Sequence, residues 1–247
     1  MGESVTDEGG GKEHFPQTRW SLVLSLGGGD EAEAGQALAE LCGIYWYPLY
    51  CYSRGWGLSA EDAEDATQDF FRRLLEKGHL ETVERGKGRL RSYLLTGMKR
   101  FLVDAWRKGQ AERRGGGEVP VSIDWAMAEK KYALEPADPR SPDVLFDKSW
   151  AYAMLESVLA RLEKYYAESG RSEVFAAIRE FLSWNDSDRS YGAVAQQLGM
   201  AEPAVRQAVF KMRRRFRAYL EQQVADTVTT PEEAKEEVDY LCAVLAS

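Results

Sequence analysis

Residues 190–220 carry side-chain types at a spacing that suits recognition of nucleic acid. From Pro203 to Leu220 the chain has no acidic residue, and the basic residues there are Arg206, Lys211, Arg213, Arg214, Arg215 and Arg217. Arg and Gln side chains can form paired hydrogen bonds to one base edge, whereas rows of guanidinium groups bind phosphates irrespective of sequence. The pattern predicts DNA contacts from Arg206, Gln207, Phe210 and Lys211, and phosphate contacts from Arg213, Arg214 and Arg217.

The apolar residues of the same stretch indicate how these side chains are held. A short predicted helix carries its apolar residues on one face, at Tyr191, Val194, Ala195 and Leu198. Gly199 permits a tight turn, and a second predicted helix buries Val205, Val209, Met212 and Phe216. This pattern is typical of a helix-turn-helix, whose second helix enters the major groove of DNA. The alternative is a basic helix that merely faces water.

A second basic segment, residues 85–114, holds ten Lys and Arg residues against Asp104 and Glu112. Aromatic residues are interleaved with them at Tyr93, Phe101 and Trp106. Basic groups attract phosphates, and aromatic rings offer stacking faces to unpaired bases. The spacing places Phe101 in the core, so Trp106 is the better candidate for a nucleic-acid contact.

Residues 59–76 form a predicted helix with an acidic face, on which Asp62, Asp65, Asp69 and Arg72 follow one another at spacings of three, four and three. Ser59 and Asp62 have the spacing of a helix cap. Like charges four residues apart on a helix destabilise it mildly, and a basic protein partner would relieve the repulsion. The alternative is a merely soluble face. Catalysis by paired carboxylates is disfavoured, because no His or metal-ligand companion lies nearby.

The composition predicts a cytoplasmic protein that is not an enzyme. The 247 residues are 44% hydrophobic and 29% charged, with a formal net charge of −8. No apolar run of about 18 residues is present, so no membrane span is expected. Three cysteines without Cys-x-x-Cys spacing argue against a disulfide framework or a zinc site, and each is predicted to be a small buried or half-buried apolar residue rather than a nucleophile. With only two histidines, we expect no catalytic residues, no cofactor and no metal.

Helical periodicity along the chain predicts an all-α fold of two small helical domains joined by a flexible linker. Residues 1–14 are predicted to be disordered, 15–114 to form the N-terminal helical domain, 115–143 the linker and 144–225 the helix-turn-helix domain. The linker prediction depends on four prolines and little periodicity. An acidic C-terminal helix is predicted within residues 226–247. Its charge suggests that it covers the basic helix of residues 203–220.

Three segments in order resemble the two-domain extracytoplasmic-function (ECF) class of bacterial RNA polymerase sigma factors. They are YWYPLYCYSRGWGLSAEDAEDATQDFFRRLLE, GRLRSYLLTGMKRFLVDAWRK and, after the linker, SYGAVAQQLGMAEPAVRQAVFKMRRRFRAYL. The resemblance covers roughly residues 40–114 and 144–220, and the tail is similar to a divergent branch with an additional C-terminal helix. Arg100 stands where the family usually has Asn, and Ala208 stands where Arg is common.

The resemblance implies a sigma factor that binds bacterial core RNA polymerase and promoter DNA. The segment that docks on the polymerase clamp coiled coil matches the helix with Asp62, Asp65, Gln68, Asp69 and Arg72. The segment that captures the melted −10 element matches residues 99–108, and the basic set there and just before it is Arg89, Arg91, Lys99, Arg100, Trp106, Arg107 and Lys108. The helix-turn-helix matches the reader of the −35 element. An anti-sigma protein is a possible further partner, and no membrane partner is expected.

Three alternatives remain open. A stand-alone helix-turn-helix regulator predicts a stable dimer on a palindromic duplex site, and it leaves the aromatics of residues 85–114 unexplained. A helical scaffold protein predicts no salt-sensitive affinity for DNA. An enzyme is least supported, because the sequence assembles no nucleophile, base and orienting group.

Overall fold

The computed structural model describes residues 31–75, 89–109, 124–134, 141–182 and 190–246. Regular structure in these ranges is helical, which confirms the all-α prediction. The helices are α1 (Glu31–Gly55), α2 (Ala60–Leu75), α3 (Leu90–Gly109), α4 (Trp125–Leu134), α5 (Pro142–Glu168), α6 (Ser172–Ile178) with a 3-10 turn (Arg179–Leu182), α7 (Tyr191–Leu198), α8 (Glu202–Ala225) and α9 (Pro231–Leu245). The segment predicted to be disordered at residues 1–14 lies outside the described residues. None of the helices described is long and apolar enough to cross a lipid bilayer.

Side-chain caps are found at the starts of α2, α7 and α9, among others. Ser59 Oγ accepts a hydrogen bond from the Asp62 N–H at 3.1 Å and donates one to the Asp62 carboxylate at 2.7 Å, as the spacing predicts. Ser190 Oγ accepts a backbone N–H of the first turn of α7 at 3.1 Å. Thr230 Oγ1 accepts the Glu233 N–H at 3.2 Å and begins α9. Each bond satisfies a backbone donor that the first turn of a helix leaves without an internal partner.

A first hydrophobic core joins helices from both ends of the chain. α5 packs along α1, and α2, α3, the end of α8 and α9 close the same core. Its buried side chains include Tyr45, Leu49, Phe71, Leu94, Met98, Phe146, Trp150, Met154, Leu220, Val224 and Leu241. Stretches on both sides of the predicted linker therefore share one core. The division into two domains stays a prediction.

A second core holds the helix-turn-helix. It lies between the second half of α5, α6 with its 3-10 turn, α7 and the first half of α8. Its buried side chains are Leu162, Tyr166, Phe175, Ala177, Ile178, Phe181, Val194, Ala195, Val205, Val209 and Met212. Since α5 and α8 contribute to both cores, the helix-turn-helix is fixed against the N-terminal helices by two continuous helices.

Residues 124–134, inside the segment predicted as a flexible linker, form α4 and bond to α1 and α5. Glu129 pairs with Arg54 of α1 at 3.1 Å, and Lys131 pairs with Glu156 of α5 at 2.8 Å. Ala128 is buried against Tyr47, Tyr50 and Cys51 of α1. These residues are thus helical and attached to α1 and α5, whereas the assignment of residues 115–143 as the interdomain linker stays a prediction. A ten-residue helix with so small a buried face has too little periodicity to stand out beside the prolines that follow it.

The cysteines differ in exposure. Cys42 and Cys51 are buried, as predicted, whereas Cys242 near the end of α9 is exposed, so the prediction is wrong there. Burial raises the pKa of the Cys42 thiol to about 12. This thiol is therefore protonated at neutral pH and is a poor nucleophile.

Candidate nucleic-acid and protein-binding surfaces

The turn between α7 and α8 has the geometry that a helix-turn-helix requires. Gly199 adopts φ +62° and ψ +31°, a left-handed conformation that glycine adopts far more readily than other residues. The Met200 N–H donates to the Ala195 carbonyl at 2.9 Å and closes α7. α8 begins directly afterwards without a side-chain cap, because Ala201 has no acceptor to offer. The two helices are thus joined by a tight turn of three residues.

Replacing Gly199 with alanine is expected to lower the free energy of unfolding by about 1–2 kcal/mol, because alanine is strained in the left-handed region. Gly43→Ala in α1 is the matched control. Gly43 is exposed within a helix, and a Cβ there would meet nothing within 4 Å. The control is expected to raise the free energy of unfolding by about 0.5–1 kcal/mol. Urea denaturation measures both values, and equal effects would contradict the strain assigned to residue 199.

α8 separates an apolar side from a basic side. The side turned to the cores buries Val205, Val209, Met212, Leu220 and Val224. The other side exposes Arg206, Gln207, Phe210, Lys211, Arg214 and Arg217, which we call the recognition face. Phe210 is 66% exposed. Arg217 pairs with Glu221 at 2.8 Å, whereas Lys211 and Arg214 form no ion pair within the described part of the chain. The recognition face thus presents an apolar ring among available cations.

Neighbours hold Arg206 on the flank of α8 that faces α7. The Arg206 guanidinium lies 4.4 Å from the centre of the Tyr191 ring, and its Nη2 is 2.6 Å from a Glu202 carboxylate oxygen. The Tyr191 ring stacks on the Phe181 ring, with centres 4.6 Å apart and planes 1° apart. The guanidinium therefore has a defined orientation before any ligand arrives. The spacing of the sequence predicts that Tyr191 lies on the apolar face of α7, but it does not reveal the contact with Arg206.

Arg213 is exposed, and part of its guanidinium also bonds to the backbone of the 3-10 turn. Its Nε and Nη2 donate to the Phe181 carbonyl oxygen at 2.9 and 2.7 Å. That carbonyl ends α6 and its 3-10 turn, where backbone acceptors lack a helical partner. This guanidinium ties α8 to the 3-10 turn, and its phosphate contact stays a prediction.

The C-terminal half of α3 forms a second basic surface. Arg100, Trp106 and Arg107 are exposed and make up what we call the α3 face. Trp106 is 68% exposed, and neither arginine forms an ion pair with another described residue. Lys99 pairs with Asp143 at the start of α5. The side chain of Lys108 lies outside the described residues.

Aromatic packing sets the position of α2 on α3. The Phe70 ring lies edge-on to the Phe101 ring, with centres 6.0 Å apart. A Cβ on Gly97 would lie 3.2 Å from the Phe70 ring, so glycine permits this close approach. Phe101 is therefore half-buried against α2, as its spacing predicts. This packing leaves Trp106 as the exposed ring of α3.

The N-terminal end of α3 is already occupied by carboxylates. Arg91 is only 8% exposed; its Nε lies 2.8 Å from Glu237 and its Nη1 lies 2.8 Å from Asp147. Arg89 pairs with Glu236 and, at 3.4 Å, with Glu237. In this structure both cations are therefore paired with carboxylates of the protein, and their DNA contacts stay a prediction.

Arg91 is the centre of a buried network that joins α1, α3, α5 and α9. Its guanidinium lies 4.2 Å from the centre of the Tyr240 ring and 4.9 Å from that of Trp150. Tyr240 donates to Asp147 at 2.6 Å, and Trp150 Nε1 donates to Tyr45 OH at 3.2 Å. The network therefore gives each buried charge at least one hydrogen-bond partner.

The charges of this network alter its titration. Burial favours the neutral form of Arg91, but the bonds and charges of Glu237 and Asp147 outweigh it and raise the pKa of Arg91. Burial, together with the bond donated to Asp147, raises the pKa of Tyr240 to about 12. Both groups therefore keep their neutral-pH protonation states. No local pattern in the sequence singles out Asp147 or Tyr240 as members of this network.

α9 lies elsewhere than expected. It packs on α5 and on the end of α8, and its acids pair with Arg89 and Arg91 of α3 instead of covering residues 203–220. The reason is that Glu237 lies four residues before Leu241, on the same side of the helix. Docking of the apolar side therefore carries the carboxylate inward. At the start of α9, Glu233 is partly buried, but hydrogen bonds from Thr229 and Thr230 and the charge of Arg89 outweigh burial and lower its pKa.

The acidic face of α2, defined by Asp62, Asp65 and Asp69, remains open. Asp69 pairs with Arg72 at 3.0 Å, and Gln68 donates to Glu64 at 3.2 Å. Asp65 is exposed and has no ion pair among the described residues.

The pKa of Glu64 reflects the negative charge collected on α2. Partial burial raises the pKa of Glu64, and the charges of Asp65 and Glu61 raise it further. A cationic partner at this helix would therefore relieve an existing repulsion.

A family model described as "ECF sigma factor" matches residues 60–223. The match begins at α2 and ends within α8, so it includes the acidic face, the α3 face and the recognition face. α9 lies beyond it. Comparisons with curated proteins and with solved structures gave no match.

Proposed function

Because the chain belongs to the ECF sigma factor family and so acts in transcription initiation with RNA polymerase and promoter DNA, we propose that it works through three separate surfaces. The recognition face of α8 binds the −35 element of a promoter, and the α3 face binds the melted −10 element. The acidic face of α2 docks on the clamp coiled coil of bacterial core RNA polymerase. An anti-sigma protein as a further partner stays a prediction.

The recognition face is the observation that carries this proposal. A chain with a net charge of −8 exposes four cationic residues, Gln207 and Phe210 on one side of one helix. Arg206 and Gln207 lie near the N-terminal end, the part of a recognition helix that contacts base edges. Phe210 offers an apolar contact to a thymine methyl group. Arg214 lies two turns beyond Arg206 and suits a phosphate.

The α3 face supplies what an unpaired strand needs. Trp106 offers an exposed ring, and stacking of one base on an aromatic ring contributes about 1–3 kcal/mol. Arg100 and Arg107 lie close to it along the helix and suit the flanking phosphates. This surface supports −10 binding through its C-terminal half, while Arg89 and Arg91 are occupied by α9.

The first experiment is selection of DNA from a random duplex library by the purified chain with and without bacterial core RNA polymerase. We expect enriched sequences with two separated elements only when polymerase is present. A stable dimer that selects a palindrome without polymerase would favour the stand-alone regulator instead.

Single changes on α8 should separate phosphate contacts from base contacts. Arg214→Glu is expected to weaken binding to all DNA sequences and to reduce the slope of log affinity against log salt by about 1. Gln207→Ala is expected to change the preference at one base pair by about 1–3 kcal/mol. Fluorescence anisotropy on the selected duplex and its single-base variants measures both effects.

Lys130→Glu on α4 is the matched control for charge reversal. Lys130 is exposed and has no ion pair with the described residues, and its reversal is expected to leave DNA affinity within about twofold, since it lies on none of the three surfaces. If Arg214→Glu and Gln207→Ala both weakened every sequence to the same extent, the proposed division of roles on α8 would be wrong.

A further inference from the structure

We propose that α9 is a reversible latch, closed in the free protein and displaced when α3 engages promoter DNA. This inference rests on the proposed function, because the arginines that α9 occupies lie on the helix that carries the α3 face. It concerns the regulation of that surface by the chain itself.

The latch closes through charge. Arg89 and Arg91 begin α3, and Glu236 and Glu237 of α9 stand against them where anionic ligands would otherwise bind. Glu236 is 66% exposed on its side chain, so its bond to Arg89 lies at the solvent edge. A DNA phosphate approaching Arg89 therefore competes with Glu236 directly. Arg91 becomes available only after α9 has moved.

The latch also connects the two DNA-binding helices. α9 follows α8 after a short turn, and the Thr227 carbonyl in that turn accepts the Leu90 N–H of α3 at 3.0 Å. Leu220 and Val224 of α8 lie in the same core as Leu241 of α9. While α9 is docked, the end of the recognition helix is thus held against the start of α3. Displacement of α9 would loosen both.

The composition of the α9 interface favours reversibility. Of its side chains only Glu237 and Leu241 are buried, while Val238, Tyr240 and Val244 are partly exposed. A buried ion pair contributes little net stability, because desolvation of the charges offsets most of their attraction. Opening returns Arg91, Asp147 and Glu237 to water and so recovers much of that desolvation. An interface of equal size with a wholly apolar centre would open at greater cost.

Isosteric neutralisation of the two glutamates tests the latch in the full-length chain. The variants are Glu236→Gln and Glu237→Gln, and the matched control is Asp239→Asn on the same helix. Asp239 is exposed and has no ion pair within the described ranges, so the three variants carry the same change in net charge. The probe is a duplex of about 30 base pairs with an unpaired central bubble, titrated by fluorescence anisotropy over a salt series. Such a duplex spans roughly three helical turns.

We expect Glu237→Gln to raise the affinity for this probe by about tenfold. Apparent affinity scales with the fraction of open molecules, and a latch that keeps about nine molecules in ten closed lowers it by that factor. Each arginine released onto a phosphate is expected to steepen the salt dependence by about 0.9. Glu236→Gln should act in the same direction, and Asp239→Asn should match the wild type. Because residue 236 lies at the surface, its variant keeps the test valid even if the buried change impairs folding.

Hydrogen exchange of the α9 amides supplies an independent readout. In the wild-type complex with bacterial core RNA polymerase and the probe, the amides of residues 231–245 are expected to exchange faster than in the free chain. Equal protection in both states, with equal DNA affinity for all four proteins, would overturn the latch and leave the proposed function standing. If the wild type and the variants all failed to bind polymerase and DNA, both the proposed function and the latch would be wrong.

Discussion

Replacing Asp65 and Asp69 together with lysine is expected to weaken binding to bacterial core RNA polymerase by about 100-fold or more. Both residues lie on the acidic face of α2, and Asp65 is exposed without an ion pair among the described residues. Placing like charges across an interface costs several kcal/mol, and each 1.4 kcal/mol is a factor of ten in affinity. Surface plasmon resonance with immobilised core polymerase measures the change.

The matched control is the double variant Glu163→Lys/Glu173→Lys, which makes the same change in net charge on α5 and α6. Both glutamates are exposed and have no ion pair within the described ranges. Polymerase binding by this control should stay within about threefold of the wild type, because exposed charges beyond a Debye length of about 8 Å are screened. Tight binding retained by the Asp65/Asp69 variant would place the docking surface elsewhere on the chain.

Replacing Trp150 with alanine is expected to lower the free energy of unfolding by about 3–5 kcal/mol, the range for removal of a buried tryptophan. Trp150 of α5 is fully buried in the first core, lies against the Arg91 guanidinium and donates to Tyr45 of α1. The variant leaves a cavity where α1, α3, α5 and α9 meet. Urea denaturation followed by tyrosine fluorescence and circular dichroism measures the loss.

Tyr152→Ala provides the comparison for Trp150→Ala. Tyr152 is an aromatic residue of the same helix, two positions along, and is 52% exposed. Its removal is expected to change the free energy of unfolding by no more than about 0.5 kcal/mol, as for most surface substitutions. Similar losses in the two variants would show that α5 does not pack on α1 as described.

The helices and the recognition face could be predicted because they depend on local periodicity. Val205, Val209 and Met212 mark the inner side of α8 through their own spacing, and Gly199 marks the turn before it. The exposure of Phe210 follows from the same period. Such features need only neighbours on one helix, and the sequence contains them all.

The partner of Arg213 could not be predicted from its neighbours in the sequence. Nothing in the sequence near it distinguishes it from Arg214, yet its partner is a backbone carbonyl of Phe181, thirty-two residues earlier. The same holds for Arg91, whose partner Glu237 is 146 residues away. Only the packing of α9 on α5 brings these two charges together.

The position of Glu237 on its helix predicts that this carboxylate pairs with a buried cation such as Arg91. Glu237 lies four residues before Leu241 and three after Ala234, on the apolar side of its own helix. A carboxylate at such a position predicts a buried cation as its partner. Arg91 fits the description of such a buried cation, because it lies next to buried Leu90 and three residues before buried Leu94 in α3. The sequence pattern instead assigned Arg91 to a DNA contact and did not single out Glu237.

The continuity of α8 makes it a lever arm for promoter reading. Arg206 at the reading end and Val224 at the seated end are eighteen residues apart on one unbroken helix, a length of about 27 Å at 1.5 Å per residue. A tilt of about 7° at the seat would displace the reading end by about 3.3 Å, close to the 3.4 Å spacing of successive nucleotides along a strand. Under the proposed function, the volumes of the side chains around Val224 would influence which base pair Arg206 meets. Substitutions that change the volume of the hydrophobic core around Val224 would then alter the preferred spacing between the promoter elements.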